Sequence, residues 1–245
     1  MNPKNKPTLL KRRLLQGTLA VSLLALLPHL VEGTDINDGM RIGNPANTNT
    51  LTSLSSIAVG EGNYVSADRS LAVGQGNGLV AGGYGAIAAG YGNYLSGPSS
   101  YAFGQWQEVY GSASMAIGYD NTVDAHYSLA IGLENQVSSS AYGAIAGGRK
   151  NIADADYSVA LGYYSTAKTY CSMVVGQFND VTPGEWDAAA KTTWRPADPL
   201  FVVGNGLSPS MTKNALVITK DGTVNIYKVP PKGGISMGIY TAPAP

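Results

Sequence analysis

The chain has 245 residues, with 16 basic and 16 acidic side chains, 31 Gly, 13 Pro, one Cys and two His. One Cys excludes an internal disulfide and a thiolate zinc site, two His exclude a multi-histidine metal centre, and the balanced charge lacks the basic footprint of a nucleic-acid binder. Glycine without a Gly-X-Y period excludes collagen and predicts many tight turns, and three Phe with three Trp leave a core of small side chains.

Lys4, Lys6, Lys11, Arg12 and Arg13 precede an apolar run from Leu14 to Leu27, and Val31, Glu32 and Gly33 follow. A basic region, a short apolar region and a short-residue cleavage site read as a secretory signal over residues 1–33. The run is shorter than the ~20 residues that span a bilayer, so it is not read as an anchor. Removing it leaves 11 basic and 15 acidic residues, a mildly acidic exported chain. Residues 34–55 are polar and rich in Asn and Thr, and read as an irregular N-terminal cap or a first imperfect rung.

From Ser56 onward the chain repeats. A glycine closes a short apolar strand at Gly60, Gly74, Gly90, Gly104, Gly118, Gly132, Gly148, Gly162 and Gly176, with spacings of 14, 16, 14, 14, 14, 16, 14 and 14. Most strands read as Ser114-Met115-Ala116-Ile117-Gly118 does, and both longer units carry an insert beginning Tyr84-Gly85 or Tyr142-Gly143. Three residues after each glycine comes a turn residue: Asn63, Asn77, Asn93, Gln107, Asn121, Asn135, Asn151, Ser165 and Asn179. Asn tolerates left-handed backbone and bonds its own main chain, which suits a tight turn. Two residues further on sits a small apolar side chain, such as Val65, Leu79 or Val123, that marks a second short strand.

This period leaves room for two strands of ~4–5 residues and two turns, and none for a helical crossover. A heptad coil is excluded by the glycine in every unit. The expected fold is all-β: a parallel β-roll of about nine rungs of 14–16 residues over 56–182, stacked at ~4.8 Å. The larger apolar residues (Ile57 and Val59, Leu71 and Val73, Met115 and Ile117) share one strand face and are expected inside. Ala58, Ala72, Ala88, Ala102, Ala116, Ala130, Ala146 and Ala160 share the other. Burying an aliphatic side chain contributes about 1.5–3 kcal/mol, and ordering a residue costs about 1–2 kcal/mol, so a rung is thin. The alanine face is therefore expected to pack against another subunit.

The Ser-Φ-Ala-Φ-Gly unit with its period of 14 resembles the YadA-like head repeat of trimeric autotransporter adhesins, over about residues 56–182. The resemblance implies a left-handed roll, assembly as a homotrimer, and binding to matrix or cell surfaces. Residues 200–226, from Leu200-Phe201-Val202-Val203-Gly204 through Lys220-Asp221-Gly222, resemble a segment that often follows such repeats and also precedes the chaperone domains of phage tail fibres. No coiled-coil stalk or membrane barrel is read, so self-transport is not expected.

Residues 183–199 read as a loop that replaces one rung and holds Trp186, Trp194 and Arg195, which are either binding anchors or a cap on the open end of the roll. Residues 200–228 read as a C-terminal strand segment, and 229–245 as a flexible Pro/Gly tail. Many of the 15 Tyr fall in turns, and stacked rungs would align some along the rod. Tyr91, Tyr94 and Tyr119 join Trp186, Trp194 and Arg195 as candidate partner-binding residues.

Asp120, Asp124, Glu134, Asp154 and Asp156 lack the nonapeptide of calcium-binding β-helices. His126 has no fixed Ser or Asp partner, and Cys171 reads as a small buried residue. No catalytic, metal or cofactor-binding residue is assigned, and no cofactor is expected. The reading is an exported, adhesin-like structural protein, secreted or on the cell surface. Its expected partners are itself and an extracellular protein or glycan, with no nucleic acid and with a membrane met only through the signal peptide. The alternatives are a fibre or spike component with the roll as spacer and, less favoured, a carbohydrate-active β-solenoid enzyme.

Overall fold

The computed structural model describes residues 40–42, 49–53, 55–181 and 188–227. The leader, the Pro/Gly tail and Trp186 of the sequence reading lie outside these residues. Each 14-residue unit supplies one strand to a wide sheet and one to a narrow sheet. The wide sheet runs through β1 (Met40–Ile42), β3 (Ile57–Glu61), β5 (Leu71–Gln75), β7 (Ile87–Tyr91), β9 (Tyr101–Gln105) and β11 (Met115–Tyr119). It continues through β13 (Leu129–Leu133), β15 (Ile145–Arg149), β17 (Val159–Tyr163), β19 (Met173–Gln177) and β20 (Pro199–Asn205). The narrow sheet holds nine two-residue strands: β2 (Thr50–Leu51), β4 (Tyr64–Val65), β6 (Gly78–Leu79), β8 (Tyr94–Leu95), β10 (Glu108–Val109), β12 (Thr122–Val123), β14 (Gln136–Val137), β16 (Ile152–Ala153) and β18 (Thr166–Ala167). All these pairings are parallel and join equivalent residues, as in Ala116↔Ala130 and Gly118↔Gly132. The result is a parallel β-solenoid of about nine turns, in which consecutive repeats are separated by one ladder step.

The glycine that ends each wide strand is required by the stacking. Gly74 has φ +116°, and a Cβ placed there would lie 2.0 Å from the carbonyl oxygen of Gly90 in the next rung. That neighbour is backbone and cannot rotate away. A left-handed residue then turns the corner: Gly62, Gly76 and Gly92 in the early rungs, and Trp106, Asp120, Glu134, Lys150, Tyr164 and Phe178 later. The opposite corner is left-handed at Arg69, Ser99, Ala113, Tyr127, Tyr157 and Cys171. A non-glycine residue in this region costs about 1–2 kcal/mol, and the hydrogen bonds of the flanking rungs hold it there. The left-handed residue is thus the one before Asn, not Asn itself.

The strand faces are the reverse of the sequence expectation. Ala58, Ala72, Ala88, Ala102, Ala116, Ala130, Ala146 and Ala160 are fully enclosed within one chain, where they form the core with Val65, Leu79, Leu95, Val109, Val123 and Val137. These alanines therefore have no surface to offer a partner subunit. The reason is volume. Two-residue narrow strands and tight corners hold the two sheets close together, and the remaining space also takes an inward Asn and an inward Ser from most rungs, with Gln107 and Ser165 at the Asn place and Ala86 and Ala144 at the Ser place. Ile or Met at the alanine position would overpack it.

The inward Asn side chains stack into a ladder. Asn135 donates from its backbone N–H (3.0 Å) and its side-chain Nδ2 (2.9 Å) to Oδ1 of Asn121, and Asn121 donates to the carbonyls of Ile117 and Gly132. Gln107 spans one rung with a longer arm, its Oε1 accepting from Asn121 at 2.8 Å. Serines do the same at the other corner, where Ser114 Oγ donates to Ala125 O at 2.8 Å and accepts from Ser128 N–H at 3.1 Å. Most of these buried polar groups are satisfied by their neighbours along the stack; at its C-terminal end the buried Ser172 hydroxyl makes no hydrogen bond.

In the longer units the two extra residues are Ala81-Gly82 and Ser139-Ser140, closed by Gly83 N–H to Val80 O and Ala141 N–H to Ser138 O, both 2.9 Å. Tyr84-Gly85 stays level with Asp68-Arg69, because Gly85 N–H bonds Asp68 O at 3.0 Å. The Tyr-Gly pair is therefore part of the regular rung, and the insertion precedes it.

The roll closes at its C-terminal end in three ways. β20 adds a further parallel strand, Gly204 pairing with Gly176. The hairpin of β21 (Asn214–Thr219) and β22 (Val224–Ile226) continues antiparallel. The edge of β18 is covered by the Asn179 amide, which accepts from Thr166 N–H (2.7 Å) and donates to Thr166 O (3.0 Å). A side-chain amide stands in for the next strand and leaves no open ladder there.

Candidate interaction surfaces

The wide sheet turns its larger residues outward. Ile57, Val73, Phe103, Ile131, Ile145 and Met173 are exposed, Ile131 at 43% and Phe103 at 37%. Between them lie half-buried Leu71, Met115, Ile117, Leu129 and Val159. The outcome is an apolar stripe along the parallel sheet, with period-two alternation setting which residues join it. Tyr91 and Tyr119 occupy the last strand position, at the edge of this face, and both are exposed. Tyr94 is exposed on the narrow sheet, its ring 5.7 Å from that of Tyr110. The three tyrosines named from the sequence thus fall on two surfaces and do not form one site.

A second feature runs along a corner. The rings of Tyr127, Tyr142, Tyr157 and Tyr170, from four successive turns, follow one another at 5.1, 5.7 and 5.7 Å. Tyr127 and Tyr157 are the left-handed residues, whereas Tyr142 sits one place earlier, beside Gly143, which leaves room for the ring of Tyr157. Alternation of Tyr and Gly thus zips the rings together. At the other corner Tyr91 meets Trp106 edge-on at 5.0 Å, and Tyr164 stacks on Phe178 at 5.1 Å.

The titratable groups that could suggest chemistry are engaged structurally. His126 Nδ1 accepts from Ser112 N–H at 2.9 Å, Asp156 Oδ1 accepts from Tyr142 N–H at 2.8 Å, and Asp154 pairs with Lys191 at 2.8 Å. Lys150 bridges Glu134 at 2.9 Å with the Tyr164 ring nearby, and these hydrogen bonds raise its pKa. Burial, reinforced by Glu108, raises the Asp124 carboxyl. Cys171 is half-buried and left-handed. Among the described residues no three His, Cys, Asp or Glu side chains come together to hold a metal, and no helix is long and apolar enough to cross a membrane.

The segment before β20 lies against the corner. A short helix, α1 (Ala188–Thr192), is joined to the roll by Asp156 N–H to Lys191 O (2.9 Å) and Tyr170 N–H to Ala190 O (2.8 Å). Trp194 follows, 49% exposed, with Lys220 Nζ 5.1 Å from its ring. Arg195 pairs with Asp198 at 3.7 Å. Trp194 therefore flanks the corner and covers a lysine, a contact no sequence pattern announced because the two are distant in the chain.

A family model, the YadA head domain repeat, matches residues 52–77, 110–135 and 139–165. All three stretches lie in the stacked rungs. No curated protein matches the chain significantly.

Proposed function

We propose that this repeat-bearing chain is an exported, adhesin-like structural protein that works as a homotrimer and carries no catalytic activity. The observation behind this reading is the outward apolar stripe of the wide sheet. Nine rungs of five residues cover roughly 700 Å² on standard strand spacings, a face that a trimer would divide between two neighbours. Its occupant is a second and a third copy of the same face, because the stripe has the same pitch and rung spacing in every copy. The likeness to YadA head repeats favours the same assembly and a surface role. The leader read over residues 1–33 favours secretion or display at the cell surface. With the stripe covered, the corners and the narrow sheet remain free to meet an extracellular protein or glycan, and Tyr94 and Trp194 are exposed contacts there. Repetition along the rod would convert weak contacts into avidity.

Sedimentation of the purified chain at micromolar concentration tests the assembly. A trimer is expected, and Ile117→Lys with Ile131→Lys should yield a folded monomer. A wild-type protein that sediments as a folded monomer overturns the reading.

A further inference from the structure

At the end of the roll, Lys220 lies across from Asp198. Its backbone N–H donates to Asp198 O at 3.0 Å, which prolongs the β20–β21 pairing by one step. Its side chain is fully enclosed, with Nζ 5.1 Å from the Trp194 ring, 5.8 Å from the Tyr170 ring and 3.8 Å from Asp198 Oδ2. The Asp198 side chain is nine-tenths buried, and its other oxygen, Oδ1, faces Arg195 Nε at 3.7 Å. Neither Lys220 Nζ nor Asp198 Oδ2 makes a hydrogen bond. A buried ammonium with unused donors is costly. Desolvation accordingly lowers the Lys220 pKa, against the opposing pull of Asp198.

We propose that Lys220 and Asp198 become joined by an intramolecular amide bond. In a dry site the ion pair can neutralise, the ammonium passing a proton to Oδ2 to leave an amine beside a carboxylic acid. The Nζ lone pair attacks Cγ, and the N–C bond forms. Charge develops on Oδ1, where the Arg195 guanidinium stabilises it. A second proton moves from the attacking nitrogen to Oδ2, the Cγ–Oδ2 bond breaks, and water leaves. Ammonium and carboxylate become amide and water, with no oxidant or cofactor. Nζ stands 3.8 Å from Oδ2, an oxygen on the carbon it would attack, and effective molarities of about 10⁵ M or more for groups held in reacting geometry favour condensation. Trp194 and Tyr170 exclude bulk water from the amine. The link would clamp the seam where parallel rungs give way to the antiparallel hairpin.

Mass spectrometry of the purified full chain, denatured and then digested, decides the matter. The wild-type protein should be lighter than its sequence by one water, and the peptides carrying Asp198 and Lys220 should emerge as one branched species. Lys220→Arg should carry its full mass, and N-terminal processing common to both proteins cancels in the comparison. A folded wild-type protein of full mass, with linear peptides and cleavage after Lys220, overturns the proposal. If Lys220→Arg fails to fold, the wild-type peptides alone give the answer.

Discussion

Gly74 and Gly76 sit two residues apart in one rung, and the structure assigns them different duties. Both have positive φ, +116° and +65°. A Cβ on Gly76 would meet nothing within 4 Å, whereas one on Gly74 would fall 2.0 Å from Gly90 O and 3.0 Å from Gly90 C. Gly76→Ala should therefore cost only the left-handed preference, about 1–2 kcal/mol. Gly74→Ala adds an overlap of more than an ångström with rigid backbone. The rungs must part, which sacrifices two or three ladder hydrogen bonds at about 1 kcal/mol each on top of about 1–3 kcal/mol of backbone strain. A total of about 3–6 kcal/mol follows from the same estimates. Urea denaturation followed by circular dichroism, at one fixed protein concentration so that assembly does not confound the comparison, measures both. Equal losses would refute the claim that close rung stacking dictates this glycine.

Three further outcomes are expected. Asn121→Ala removes the acceptor for Asn135 N–H and the donor to Gly132 O, so it should lower stability by about 2–4 kcal/mol in the same assay, since each orphaned buried group costs about 1–3 kcal/mol. Ala116→Lys should unfold the roll rather than merely disperse subunits, because Ala116 is fully buried within one chain; a folded monomer by circular dichroism and sedimentation would contradict the placement. Asp124 has a raised pKa in the folded protein, so folding binds its proton more tightly than the unfolded chain does. Its contribution to stability is present at acid pH and is lost as pH rises through the folded value. Asp124→Asn should therefore stabilise the protein at neutral pH, with the gain fading toward acid, and a gain unchanged across that range in thermal melts would count against it.

The corner residues show how far local rules reach. Asn was legible as the partner of a tight turn, but its role differs from the expected one. The backbone strain falls on the preceding residue, and the amide turns inward to continue a ladder. The tyrosine column was legible as an alignment, yet the Tyr-Gly alternation that interlocks Tyr142 and Tyr157 depends on which turns align across rungs. Trp194 over Lys220, and Lys220 against Asp198, belong to segments 22 or more residues apart and carry no shared pattern.

Periodicity by itself determined the path of this chain. A glycine every 14 or 16 residues, followed by a turn and a second short strand, admits one rung per repeat, and identical rungs pair in register because each presents the same donors and acceptors to the next. Which strand face points inward was decided only by the tertiary structure. Alternation states that two faces differ, and the hydrophobic effect alone favours burying the larger one. Closing both corners within 14 residues holds the sheets so near that only Ala and Val or Leu, with one Asn and one Ser, fit between them. A signal for this was present in the repeats. The enclosed position is Ala in eight of nine, while the outer positions range from Gly147 and Ala89 to Phe103 and Tyr101. Uniform small size marks limited volume, and varied size marks an open face.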